Sequence, residues 1–70
     1  MDYRELKEKI AALVPLESED ENLMKSGMNS LMIMRMVNDL RKEGIRVSYG
    51  KLMKNPTPKG WWELIEPLAK

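Results

Sequence analysis

The stretch that decides the fold is Gly27-Met28-Asn29-Ser30-Leu31, which opens directly into the apolar-periodic run Leu31 to Leu40. Gly27 can take backbone angles that other residues avoid. Asn29 is a good N-cap, so a helix is predicted to begin at Ser30. Ile33, Met36, Val37 and Leu40 recur at steps of three, one and three and form its core stripe. Gly44 sits where a C-terminal cap belongs, and Arg41 and Lys42 suit the negative end of the helix dipole. The spacing therefore predicts a helix over 30–43 with a serine hydroxyl on its first turn. Free N–H groups and the dipole favour an anion at that end. Such a serine suits a phosphate ester, or it is an ordinary capping serine.

Working outward, Leu6, Ile10 and Leu13 predict a first helix from Tyr3 to Leu13, with Pro15 as its stop. A long loop follows, from Pro15 to Asn29. Its first half is acidic, with Glu17, Glu19, Asp20 and Glu21, and Leu23 is expected to plug the core and pin it. A loop of this length in a small domain is usually functional. The carboxylates lack a calcium-loop spacing and read as a solvated surface, so no metal site is expected.

Beyond Gly44, Ile45 and Val47 face one side of a short extended link. Ser48 is expected to cap a short third helix, Tyr49 to Lys54, with Leu52 inward and Tyr49 and Met53 sharing a face. Asn55-Pro56-Thr57-Pro58 is strong punctuation, with Thr57 as N-cap and Pro58 as first helical residue. The last helix is predicted over 58–66. Either Trp61 or Trp62 packs inward with Ile65, because neighbouring residues point about 100° apart.

Two apolar residues, Leu31 and Met34, fall off the core stripe of the second helix, and Met28 falls just before it. They make either an exposed partner surface beside Ser30 or a wide core.

Composition sets the limits. Seventy residues make one domain, 1–70, with one modest core. The chain has no Cys and no His, which removes disulfides, thiolate sites and the commonest general base and zinc ligand. A formal charge of +1 argues against binding nucleic acid by bulk charge. No apolar run approaches a membrane span and no signal peptide opens the chain, so a cytoplasmic setting without membrane or nucleic-acid partners is expected.

These residues carry a family resemblance. Gly27-Met28-Asn29-Ser30 is similar to the Gly-x-Asp-Ser attachment motif of carrier proteins, the thiolation domains of nonribosomal peptide synthesis. Asp20-Glu21-Asn22-Leu23 resembles the family's loop anchor, and Leu40-Arg41-Lys42-Glu43-Gly44 its helix-two end. Asn55-Pro56-Thr57 and Trp61-Trp62 resemble a C-terminal signature of aryl carriers, so the likeness is greatest to siderophore-type aryl and peptidyl carriers. One position departs: Asn29 stands where the family usually has Asp, keeping the cap but losing a charge.

The resemblance implies an all-α fold, a small four-helix bundle like that of acyl carrier proteins, with a long loop between helices one and two and a short third helix. It implies that a phosphopantetheinyl transferase joins 4′-phosphopantetheine from coenzyme A to Ser30, within the motif residues Gly27, Met28, Asn29 and Leu31. An adenylation enzyme would then load an aminoacyl or aryl group as a thioester, and a condensation or tailoring enzyme would use it. The chain itself would be a non-catalytic monomer, with Met34, Tyr49 and Met53 facing partners. Rival readings are an acyl carrier of fatty-acid or polyketide type and a helical interaction or DNA-binding module. Arg35, Arg41 and Lys42 on the second helix count against the former, and the near-neutral charge against the latter.

Overall fold

A computed structural model describes residues 1–69. Four α-helices follow in order: α1 Tyr3–Ala11, α2 Ser30–Lys42, α3 Tyr49–Lys54 and α4 Pro58–Ile65, with a closing 3₁₀ turn at Glu66–Leu68. The described residues contain no strand. This is the expected all-helical bundle, with its long first loop and short third helix.

Each helix starts on a side-chain cap, which satisfies an otherwise unpaired N–H. Asp2 accepts from Glu5 at 2.8 Å, and Asn29 from Met32 at 3.0 Å. Ser48 accepts from Lys51 at 3.2 Å, and Thr57 from Gly60 at 3.0 Å. The last three are the caps read from the sequence. Pro58 takes the first helical position, where its missing N–H costs nothing.

The ends differ more. α1 stops at Ala11, short of the predicted Leu13. Leu13 and Val14 both donate to the Ile10 carbonyl in a closing turn, and this turn swings Val14 into the core. The helix thus closes in a tightened last turn at Leu13 and Val14, just ahead of Pro15. α2 ends at Lys42 and α4 at Ile65, each one residue early, within the usual uncertainty of a helix end.

The core joins all four helices. Leu6, Ile10, Ile33, Met36, Val37, Leu40, Leu52, Trp61 and Ile65 are buried, and Leu23 plugs the bundle from the loop as expected. Ile45 and Val47 are both buried, so the extended link does place them on one side. α1 and α3 each pack on α4, and α2 packs on α3. Lys9 bridges α1 to α2, with Nζ 2.7 Å from Asp39 and 3.0 Å from Glu43. Those hydrogen bonds raise the Lys9 pKa above its ordinary value.

Of the two tryptophans, Trp61 is the inward one. Its indole N–H donates to the Leu52 carbonyl at 2.9 Å, occupying one of the carbonyls that a helix leaves free in its last turn. Trp62 lies half-buried and stacks on Tyr3, with ring centroids 5.6 Å apart and planes at 15°. Lys7 completes the pile, its ammonium 4.5 Å from the centroid of the Tyr3 ring. The Tyr3 hydroxyl is buried without a hydrogen-bond partner among the described residues. Its pKa is pushed up to about 12, by burial first and then by the nearby Glu19 and Asp20 carboxylates.

Candidate functional site

Two helix signals meet back to back at the start of α2. Asn22 caps a single helical turn, accepting from Met24 at 2.9 Å through Oδ1. The turn then closes as a helix C-terminus does. Gly27 donates to Met24, and Met28 donates to Leu23 at 3.0 Å, while Gly27 takes a φ of +112°. This is the Schellman arrangement, which needs a residue free to enter positive φ. Its usual apolar contact is present too, since Leu23 and Met28 are both buried. Asn29, the next residue, caps α2. One buried residue, Met28, therefore separates the end of one helical segment from the cap of the next.

The acidic half of the loop is more ordered than a solvated surface. The Glu21 carboxylate accepts from the Ser26 hydroxyl and from the backbone N–H groups of Ser18 (2.8 Å) and Glu17. These donors, Ser26 foremost, hold its pKa below the ordinary carboxylate value. The loop is also tied to the far side of the fold, because Leu23 donates to Pro56 at 2.8 Å and Lys59 to Glu19 at 3.1 Å. Nothing local in the sequence signals those two long-range bonds. No cluster of carboxylates among the described residues could hold a metal ion.

Ser30 is exposed at the first position of α2. Its hydroxyl differs from the other aliphatic hydroxyls of the chain. Ser18 accepts from Asp20, Ser26 binds Glu21, and Ser48 and Thr57 cap helices. Among the described residues, Ser30 Oγ alone of this set has no hydrogen bond, so it serves no cap. The cap is Asn29, which removes the plain capping reading of Ser30. A free hydroxyl stands on a positive helix end, with the first-turn N–H groups pointing the same way. That arrangement accommodates a phosphodiester: nothing covers the oxygen, and the local field favours the negative charge.

The apolar residues around it divide. Leu31 and Met34 are 63% and 48% exposed, three residues apart on one helix face. Met28 is buried, so of the two readings left open the core one holds for it, and the exposed one for Leu31 and Met34. Its burial follows from its position in the Schellman turn. Tyr49 and Met53 are half-buried on α3, packed in part against the core. Gly60 is a feature missed in the sequence. It is buried where a Cβ would stand 2.6 Å from Asn55 Cγ and 2.9 Å from Thr57 Oγ1. The Asn-Pro-Thr turn thus lies directly on α4.

An N-capped free serine after a long pinned loop, on a four-helix bundle, is the arrangement of a cofactor-bearing carrier domain. The family model described as "Phosphopantetheine attachment site" matches residues 4–65, and the chain belongs to that family. Over 51 residues it is 39% identical to pseudomonine synthase PmsE of Pseudomonas entomophila, a match covering 73% of this chain and 8% of that protein. Over 64 residues it is 33% identical to an isochorismatase of Bacillus subtilis, covering 86% of this chain and 20% of that protein. The chain thus spans a small part of the relatives it matches. No solved structure gives a significant match. The protein is a carrier of covalent 4′-phosphopantetheine, similar to the thiolation domains that its motifs resemble. Among the described residues, no helix is long and apolar enough to cross a membrane.

Proposed function

We propose that Ser30 is the attachment point, and that the chain is a carrier domain, 1–70, serving nonribosomal peptide synthesis. The free hydroxyl of Ser30 at the capped start of α2 supports this above all. A phosphopantetheinyl transferase would make the phosphodiester there from coenzyme A. When attached, the group supplies a terminal thiol for carrying acyl groups as thioesters. Ser30 anchors it, the α2 N-terminus favours its phosphate charge, and the loop behind holds the serine in place. An adenylation enzyme would load an aminoacyl or aryl acid, and a condensation or tailoring enzyme would take it onward. The relative named pseudomonine synthase supports this setting. Leu31 and Met34, exposed beside Ser30, are the first surface such enzymes meet, with Tyr49 and Met53 beyond. These contacts are small and brief, and a monomer suffices for them.

The test is the intact mass of the protein and of Ser30→Ala after incubation with coenzyme A, magnesium and a promiscuous transferase. A gain of one phosphopantetheine in the protein and none in the variant is expected. Equal gain in both would move the attachment elsewhere. Loading with amino or aryl acids rather than fatty acids then separates the proposed setting from a fatty-acid carrier.

A further inference from the structure

Charge is unevenly distributed along this nearly neutral chain. Between residues 41 and 59 lie Arg41, Lys42, Arg46, Lys51, Lys54 and Lys59 against one carboxylate, Glu43. Glu43 is already engaged by Lys9. Among the described residues, none of those six cations forms an ion pair.

The fold collects several of them at the far end of α2. A second Schellman turn closes that helix, with Gly44 at a φ of +84° and Ile45 donating to Leu40 at 2.9 Å. The link then alternates. Ile45 and Val47 are buried, so Arg46 between them is turned outward. Arg41 and Arg46 line one concavity with Val47 and Ser48. Arg46 and Lys51 line the next, whose apolar part comes from Leu64, Pro67 and the 46%-exposed Leu68. Among the described residues, Glu63 is the one carboxylate at its edge.

We infer that this basic groove, from Arg41 across Arg46 and Lys51 to Leu68, is a docking site for an acidic segment of a partner protein that also carries apolar side chains. Unpaired cations call for carboxylates, and the Leu64–Leu68 side calls for aliphatic groups. A nucleic acid suits it less, since the groove includes Glu63 and exposed leucine and the whole chain carries only +1. The site is distinct from the start of α2. Arg41 lies eleven residues after Ser30, about 16 Å along the helix at 1.5 Å per residue. A partner held here leaves the Ser30 end open, so one protein can retain the domain while another works at the serine. This inference does not depend on what Ser30 carries.

The probe is a short synthetic helical peptide with a Glu-rich face and a Leu stripe, titrated into the isotopically labelled protein. Binding should shift the amides of Arg41, Arg46 and Lys51 and the methyls of Leu68, and should weaken with added salt. The triple variant R41E/R46E/K51E should bind at least about tenfold more weakly. Arg46→Gln and Leu68→Ser alter exposed side chains and should each weaken binding about threefold, which keeps the test open if the triple variant unfolds. Ser30→Ala should bind as the parent does. Absence of binding, equal binding by Arg46→Gln and Leu68→Ser, or shifts centred on Leu31 and Met34 would overturn the assignment. Tighter binding of single-stranded RNA or phosphatidylserine vesicles at the same salt would also overturn it.

Discussion

The backbone N–H of Leu23 donates to the carbonyl of Pro56 at 2.8 Å, joining two segments 33 residues apart in the chain. Leu23 anchors the loop that delivers Ser30, and Pro56 belongs to the Asn-Pro-Thr turn ahead of α4. The attachment-like motif and the C-terminal signature are therefore parts of one structure. The turn supplies the wall against which the loop is set, with Lys59 to Glu19 as a second tie.

Gly60→Ala should strain that wall. The added methyl meets Asn55 and Thr57 at sub-contact distance. Overpacking of this kind costs about 1–3 kcal/mol. A lower urea midpoint is expected, together with faster hydrogen exchange at the Leu23 amide, because Asn55 and Thr57 flank its acceptor. An unchanged midpoint would mean that Asn55 simply swings away.

Asn29→Ala should remove the α2 cap and lower stability by about 1 kcal/mol. Asn29→Asp keeps the acceptor and adds a negative charge at the positive helix end, so stability should hold or rise by a few tenths of a kcal/mol. Chemical denaturation of the three proteins checks both. Under the proposed function, Asn29→Asp should also be modified at least as fast by the transferase.

Trp61→Phe should cost about 1–3 kcal/mol, because it leaves the buried Leu52 carbonyl without its donor and opens space in the core. Fluorescence would then report Trp62 alone. Its stack on Tyr3 should survive, so the remaining emission should be that of a half-buried indole in the folded variant.

Alkaline pH should unfold this protein through two groups on α1. Tyr3 titrates at about 12 when folded and near 10.0 when unfolded, so its contribution is full below pH 10 and lost as pH rises through that window. Lys9 is also raised when folded, so its contribution is present below 10.5 and lost as pH rises through its folded pKa. Tyr3→Phe should flatten the alkaline limb. At neutral pH it should raise stability by about 1 kcal/mol, since it deletes a buried hydroxyl without a partner. Lys9→Gln should flatten the same limb and cost no more than about 1 kcal/mol at neutral pH, as a partly exposed pair does. Urea midpoints at neutral pH and across pH 10 to 12 decide both.

What the sequence made legible is what acts locally. Asn29, Ser48 and Thr57 cap helices through bonds spanning three residues, so their signal is complete within one turn. The stripe Ile33, Met36, Val37 and Leu40 is fully set by helical period. Ser30, Leu31 and Met34 are exposed because they lie outside that stripe. Positions set by how a loop or turn closes on itself, or by a partner in another element, were not legible. Val14 is taken into the core at the closing turn of α1, and Met28 is buried by the turn that Gly27 closes. Glu21 looked like one acid among four, yet it alone gathers three loop donors. The choice between Trp61 and Trp62 was set by the Leu52 carbonyl, which periodicity cannot see.

The abutting turn and cap at Gly27, Met28 and Asn29 have a consequence for how a tethered group would move. A serine on a slack loop would wander, and every encounter would have to freeze protein and tether together. Here the backbone on both sides of Ser30, the proposed attachment point, is already fixed. All searching freedom would then belong to the tether, swinging from a stationary pivot. An approaching enzyme would meet a rigid landmark and have only the arm left to order.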